Sequence, residues 1–395
     1  MNIYEEAQAL QPYLSALRRE LHRHPEVSRK EFWTAGRIEQ ELDAIGITEH
    51  QRVDGTGVCA VLRGEKPGER VMALRADIDA LPIEEKHPDL DYCSGEPGVM
   101  HACGHDGHTA SLLGAAKLLY AHRADFGGEV RFFFQHAEEV GWGGKQFVKA
   151  GLCKGVGRIF GVHMAPDLPL GKVGVTPGPN NASVDHFTVK IQGKAAHVST
   201  PHLGVDALYI ASQTVVALQP LVSRRTSPID PVILGVGKMS AGTSYNIVAG
   251  SALLEGTTRT FSAKTRAWIN GEIDRVCTET ARLYGGEATV EWEDFTGPLV
   301  NPPALCPEAA GVVAKVLGEK AVVHDRPLSL VGDDFAELQA AVPGVYGFVG
   351  TASPDRPDTA LPLHNDRFDL SEEALAITAA LHTEYTLEYL SGAIG

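Results

Sequence analysis

Residues 100–109 read Met-His-Ala-Cys-Gly-His-Asp-Gly-His-Thr, so four side chains able to bind a metal, His101, Cys103, His105 and His108, fall inside eight positions. Cys103 and His105 are two apart. In an extended or loop segment that spacing points both the same way, and both can reach one ion. A structural zinc knuckle would need a second Cys/His pair at close spacing, and none follows. The other candidates arrive singly and far apart: Glu138 and Glu139 after His136-Ala137, His163 in Gly161-Val162-His163-Met164, and His364 in Leu361-Pro362-Leu363-His364. That pattern suits an active site assembled from several strand ends better than a finger.

The elements that must position these groups alternate in type. Leu10, Leu14, Leu17 and Leu21 predict one amphipathic helix over 4–23, stopped by Pro25. The polar run from Arg18 to Glu26 reads as its solvated end. A second helix is expected over 34–45 with Gly46 as its cap, then strands at 57–63 and 70–76 around a turn at 64–68. The second strand opens into Asp77 and Asp79, and Asp77 is expected to orient a ligand from behind. A helix at 108–122 and a strand at 128–135 lead to Glu138 and Glu139, which read either as a solvated turn or, after a buried aromatic strand, as a metal ligand and a neighbouring base. A short strand at 158–162 delivers His163. Strands at 186–193, 232–238, 246–259 and 287–293, with helices at 205–221 and 264–284, give the β-α-β-β-α-β order of a ferredoxin-like unit. A helix at 307–317, Asp333-Asp334-Phe335, a strand at 344–349 and a helix at 371–391 complete the chain.

A chain of 395 residues fits two domains. A net charge of −15 argues against nucleic acid or an anionic membrane as the main partner. The first residues lack the basic and apolar regions of a signal peptide, and no apolar run approaches the roughly 20 residues that span a bilayer. Six scattered cysteines read as reduced thiols, which suggests a cytoplasmic protein.

The motifs CGHDGHT (103–109), HAEE (136–139), GVHM (161–164), GKAAH (193–197), GTTRTF (256–261) and LPLHND (361–366) occur in order over nearly the whole chain. Together they resemble the aminoacylase/carboxypeptidase-type dinuclear metallopeptidases, and more narrowly the amidohydrolase branch with hippurate hydrolase, N-acyl-amino-acid amidohydrolases and auxin-conjugate hydrolases. The resemblance implies an α/β, zinc-peptidase-like catalytic domain with a mixed central sheet flanked by helices, over 1–185 and 296–395. It implies an inserted ferredoxin-like α+β lid and dimerisation domain at 186–295, and a homodimer or dimer of dimers. Two divalent metal ions are expected, zinc or manganese foremost, with cobalt or nickel as alternatives.

Carried over by position, Cys103 matches a bridging ligand that is aspartate in the wider family, and His105, Glu139, His163 and His364 match the other ligands. Glu138 matches the general base, His197 the lid histidine that reaches the substrate carbonyl, and Asn246 and Arg259 positions linked to the substrate carboxylate. Asp77 and Asp106 fall behind the ligands. On residue type alone, His163 and His364 read as structural, His197 as a surface histidine and Arg259 as half of an ion pair; the resemblance reverses these readings. It gives His101 and His108 no ligand role. Arg75 stands where the wider family has a metal-binding histidine, His136 replaces a proline, Asp333 replaces a glutamate, and the lid motif reads AAHVSTPH. The activity implied is hydrolysis of N-acetyl- or N-benzoyl-type amino acids to a carboxylic acid and a free amino acid, by metal-activated water with Glu138 as base. The alternatives are a dipeptidase or carboxypeptidase, or a non-catalytic metal-dependent binding protein.

Overall fold

The computed structural model describes residues 2–87 and 90–395. It divides into one unit made of Met1–Gly178, Val300–Pro327 and Asp333–Gly395, and a second made of Pro179–Leu299 and Leu328–Gly332.

In the first unit the single helix expected over 4–23 is two, α1 (Ile3–Ala9) and α2 (Gln11–Arg23). Pro12 explains the break. It has no N–H to give to a preceding turn and is tolerated only at the start of a helix. The far end of α2 is solvated on one face only, because Arg18 and His22 are wholly buried. α3 (Phe32–Ile45) ends at Gly46 in the left-handed conformation, as its cap requires.

Eight strands among the described residues form one mixed sheet. Its order is β1 (His50–Val53), β2 (Gly57–Arg63), β4 (Gly127–Gln135), β3 (Lys66–Asp77), β5 (Arg158–Pro169), then Gly344–Ala352, Val173–Gly174 and Val322–Val323. β4, β3, β5 and Gly344–Ala352 run parallel, with β1 and β2 antiparallel at one edge. Strands covered on both faces carry continuous apolar runs, and Phe132, Phe133 and Phe134 of β4 are all fully buried. β5 is longer than the expected 158–162 because it stays paired with Gly344–Ala352 as far as Pro169, so His163 lies within the strand, opposite Phe348.

α4 (His105–Ala121) is buried over nearly its whole length, as is the C-terminal helix Glu373–Ser391. Gly114 lets both α2 and the C-terminal helix close on α4: a Cβ there would stand 2.5 Å from Leu14 Cδ2 and 3.3 Å from Ala379 Cβ.

The second unit has its own antiparallel sheet, in the order Val232–Ala241, Ser251–Thr260, Val184–Gln192, Glu287–Thr296. Helices Ala207–Pro220 and Ala263–Leu283 cover it through Ile210, Ile269 and Ile273, packed on Phe187, Val189 and Ile191. Numbered in chain order these strands stand 2-3-1-4, the ferredoxin-like arrangement. The strand expected over 246–259 is split. Gly250 turns its carbonyl to accept the Gly193 N–H at 2.9 Å, and the short piece Ile247–Val248 pairs instead with Ala196–His197.

Candidate metal centre

Parallel strands leave a crevice at their carboxyl ends where ligands bind, and the candidate residues of the first unit collect there. β3 ends in Asp77, and β4 runs into Glu138 and Glu139. The Cys103 loop enters α4, whose first residue is His105. Cys103 and His105 are not joined by extended chain, as their spacing suggested. Gly104 between them is left-handed (φ 86°) and close to Met164, with room for a Cβ only 3.2 Å from that side chain's own Cβ. The turn lets the loop pass straight into the helix with both donors facing one place.

Three groups of ligand atoms, each within 4.8 Å of one another, overlap: Cys103 with His105 and His163, Cys103 with Glu139 and His364, and His105 with Glu138 and Glu139. Cys103 belongs to two of them. Its Sγ lies 3.6 Å from His163 Nε2, and the two Glu139 oxygens stand 3.9 Å from His105 Nε2 and 3.4 Å from His364 Nε2. His105 Nδ1 donates to the Asp79 carbonyl at 2.9 Å and His163 Nδ1 to the Met164 carbonyl at 2.7 Å, so each ring turns an unprotonated Nε2 toward the cluster when neutral. His364 and Ala137 hold positive φ angles, 64° and 53°, rare outside glycine and costing about 1–2 kcal/mol each. The His364 N–H is tied to the Ala102 carbonyl at 2.8 Å, which joins its loop to the Cys103 loop.

The charges call for a cation. Burial, reinforced by Glu139 and Glu138, pushes the Cys103 thiol well above its usual range, and burial beside Asp333 and Glu139 does the same to Glu138. Burial alone would strip the proton from His105, but Asp77, Asp79 and Glu139 outweigh it and push that imidazole up to about 10. His105 Nε2 and Glu139 Oε1 are also buried without a hydrogen-bond partner among the described residues. A donor set of one sulfur, three imidazoles and a carboxylate suits zinc or another first-row divalent ion, which would hold the thiolate form and meet both orphan atoms. The residues fit the metal.

Asp77 lies beside the cluster, grouped with His105 and His108. Its Oδ1 receives His108 Nδ1 at 2.5 Å, and its Oδ2 lies 3.5 Å from His105 Nε2. His108 Nε2 accepts the Met164 N–H at 2.8 Å, so both ring nitrogens are spent and no lone pair remains for a metal. Buried Arg75 is a fixed cation: it donates to Asp77 at 2.7 Å, Asp334 at 3.0 Å, Gln135 at 3.0 Å and the Tyr346 hydroxyl at 3.2 Å. Glu138 also groups with Asp333 and Asp334 on that side.

Asp106 does not face the cluster. It binds Arg18 Nε and His22 Nδ1, both at 2.7 Å, and Arg18 reaches Asp369 at 2.9 Å while His22 reaches Glu85 at 3.3 Å. On one face of the segment read as a solvated helix end, Arg18 and His22 therefore form a buried ionic network, while Arg19, Glu20 and Arg23 stay partly exposed. Sequence carried a signal for it. Positions 14, 18 and 22 repeat at helical spacing, which puts Arg18 and His22 on the face of buried Leu14.

In the second unit His197 is exposed and opposite Ile247, which brings it beside Asn246. His197 Nδ1 accepts the Ser199 N–H at 3.1 Å, and the Asn246 side-chain oxygen accepts from the Ser244 hydroxyl at 2.7 Å. Arg259 is half-buried on Ser251–Thr260. It donates to the Thr257 hydroxyl and the Thr258 carbonyl, with no carboxylate in ion-pair range among the described residues. The ion pair that residue type alone suggested for Arg259 is not formed.

The model of peptidase family M20/M25/M40 matches residues 73–388. The chain belongs to this family. It is 39% identical to an N-acetyl-L-cysteine deacetylase of Bacillus subtilis over 366 residues, 93% of this chain and 85% of that one. With an N-acyl-L-amino acid amidohydrolase of Geobacillus stearothermophilus it shares 42% identity over 287 residues, 72% of this chain and 77% of the relative. Its fold is similar to the crystal structure of a dinuclear metal-binding M20 peptidase of Bacillus subtilis, with a TM-score of 0.83 and 36% identity over 97% of this chain and 99% of the other. No helix among the described residues is long and apolar enough to cross a membrane.

Proposed function

We propose that this M20 family member hydrolyses the amide bond of N-acyl amino acids, releasing a carboxylic acid and a free amino acid. The observation that carries the reading is the sharing of Cys103 between two ligand triads with the Glu138 carboxylate alongside. The deacetylase and amidohydrolase names of its relatives support the substrate class. Cys103, common to two of the donor groups, would hold the metal together with His105, His163, Glu139 and His364. Two divalent ions, zinc or manganese, supply a lowered water pKa and a polarised carbonyl when bound.

The chain's own groups do the rest. Glu138 takes the proton of the attacking water and passes it to the departing nitrogen, so the C–N bond breaks with an amine as leaving group. His197, whose Nδ1 is occupied as an acceptor, carries its proton on Nε2 when neutral, the donor a developing oxyanion needs. Arg259, in no ion pair among the described residues, offers its fork to the substrate carboxylate, aided by Asn246. We assign residues 186–295 as lid and dimerisation domain and 1–185 with 296–395 as catalytic domain. A homodimer through residues 186–295 is proposed on the family resemblance alone. Six free thiols fit a reducing cytoplasm.

Incubation with N-acetyl and N-benzoyl amino acids and with dipeptides, with and without chelator, tests the reading. Chelator-sensitive release of amino acid from the acyl compounds is expected. Cleavage of dipeptides alone would replace it with a peptidase, and no turnover on any compound would leave a binding protein.

A further inference from the structure

Glu31 belongs to none of the groups the proposed chemistry uses, yet its side chain is wholly buried and points at the turn that carries Glu138. Its Oε1 accepts the Ala137 N–H at 2.8 Å, from a residue 106 positions away. Ala137 is left-handed (φ 53°, ψ 42°), a conformation side chains other than glycine's avoid. Its carbonyl accepts the Trp142 and Gly143 N–H groups at 3.1 and 3.4 Å. Just past Glu138, the Glu139 N–H donates to Asp79 Oδ2 at 3.0 Å. The backbone is thus held by a buried carboxylate on each side of Glu138.

The consequence is directional. If β4 simply continued, Glu138 and Glu139 would point to opposite faces of the sheet. The left-handed residue and the tight turn Glu138–Val140 instead let one carboxylate stand with Asp333 and Asp334 and the other with Cys103 and His364, while both remain near His105. We propose that Glu31 is a positioning residue for Glu138: its oxygen on the Ala137 N–H holds the left-handed turn that aims the base. The inference rests on the reading of Glu138 as general base in the hydrolysis proposed above.

Two variants separate length from charge. Glu31→Gln keeps the reach and the acceptor oxygen. Glu31→Asp keeps the charge but withdraws the oxygen by about 1.5 Å. Both are assayed with an N-acetyl amino acid at saturating metal. The Asp variant should lose about 10²-fold in kcat with KM changed less than about twofold, the signature of a misaimed group rather than lost binding. The Gln variant should keep kcat within about fivefold of wild type, because the acceptor remains. A Gln variant as impaired as the Asp variant, or an Asp variant equal to wild type, would overturn the role of Glu31. A wild type without metal-dependent turnover would overturn the hydrolytic reading first, and the role of Glu31 with it.

Discussion

Replacing Glu138 with glutamine is expected to lower kcat by about 10²–10⁴-fold while the protein folds and binds metal as before. Glutamine has the same shape and keeps an oxygen where Glu138 Oε1 accepts the Asp334 N–H at 3.4 Å. What it loses is the ability to take a proton. Burial beside Asp333, Glu139 and Asp334 already works against the charged form of this carboxyl, so the neutral amide should unfold no more easily than the wild type. Activity and stability should therefore part company. Thermal unfolding, metal content and turnover measured on one preparation check this, and an amide variant with turnover near wild type would remove Glu138 from its assigned role.

The second large effect concerns Arg18. Its guanidinium, with no exposed surface, pairs with Asp106 at 2.7 Å and Asp369 at 2.9 Å and stands 5.0 Å above the Tyr92 ring. Arg18→Met fills the space but leaves two buried carboxylates short of a partner, a change that costs about 3–5 kcal/mol. Urea unfolding should show that loss. A difference below about 1 kcal/mol would mean that the network does not hold the fold. Because Asp106 follows His105 directly, the variant should also bind metal more weakly.

The same network predicts a pH dependence. Burial alone would raise the Asp369 carboxyl, but Arg18 and Arg356 outweigh it and hold that carboxyl below its usual range. A carboxyl held low in the fold contributes stability above its unfolded pKa, near 4, and loses it as pH falls through the folded value. The wild type should therefore shed stability below about pH 4, and Arg18→Met, already lacking this pairing, should shed less.

How much of this can be read from the sequence differs from residue to residue. Cys103 and His105 are visible in their spacing, but the left-handed Gly104 that joins them is a tertiary choice, made where α4 packs against Met164. The large mixed sheet is expected only from the family resemblance, whereas the alternating run of strands and helices predicts the β-α-β-β-α-β order of the second unit. It misses the break at Leu10, although Pro12 signals it. Arg18 and His22 lie on the buried face of α2 and could be suspected from periodicity. Their partner Asp106, 88 and 84 positions away, could not. Glu31 gives no signal of its own, since a glutamate before a helix is ordinary and only the fold brings it to Ala137. His108 looks like a ligand by type and is excluded by its two hydrogen bonds, which no linear pattern displays.

The most direct test of the central claim is metal content, measured by mass spectrometry on the wild type beside Cys103→Ala after loading with zinc or manganese and removal of the excess. About two ions per chain in the wild type, falling to about one or fewer when the side chain common to both triads is removed, is the predicted result. A wild type that retains no ion, or a Cys103→Ala variant that retains as many as the wild type, would contradict it.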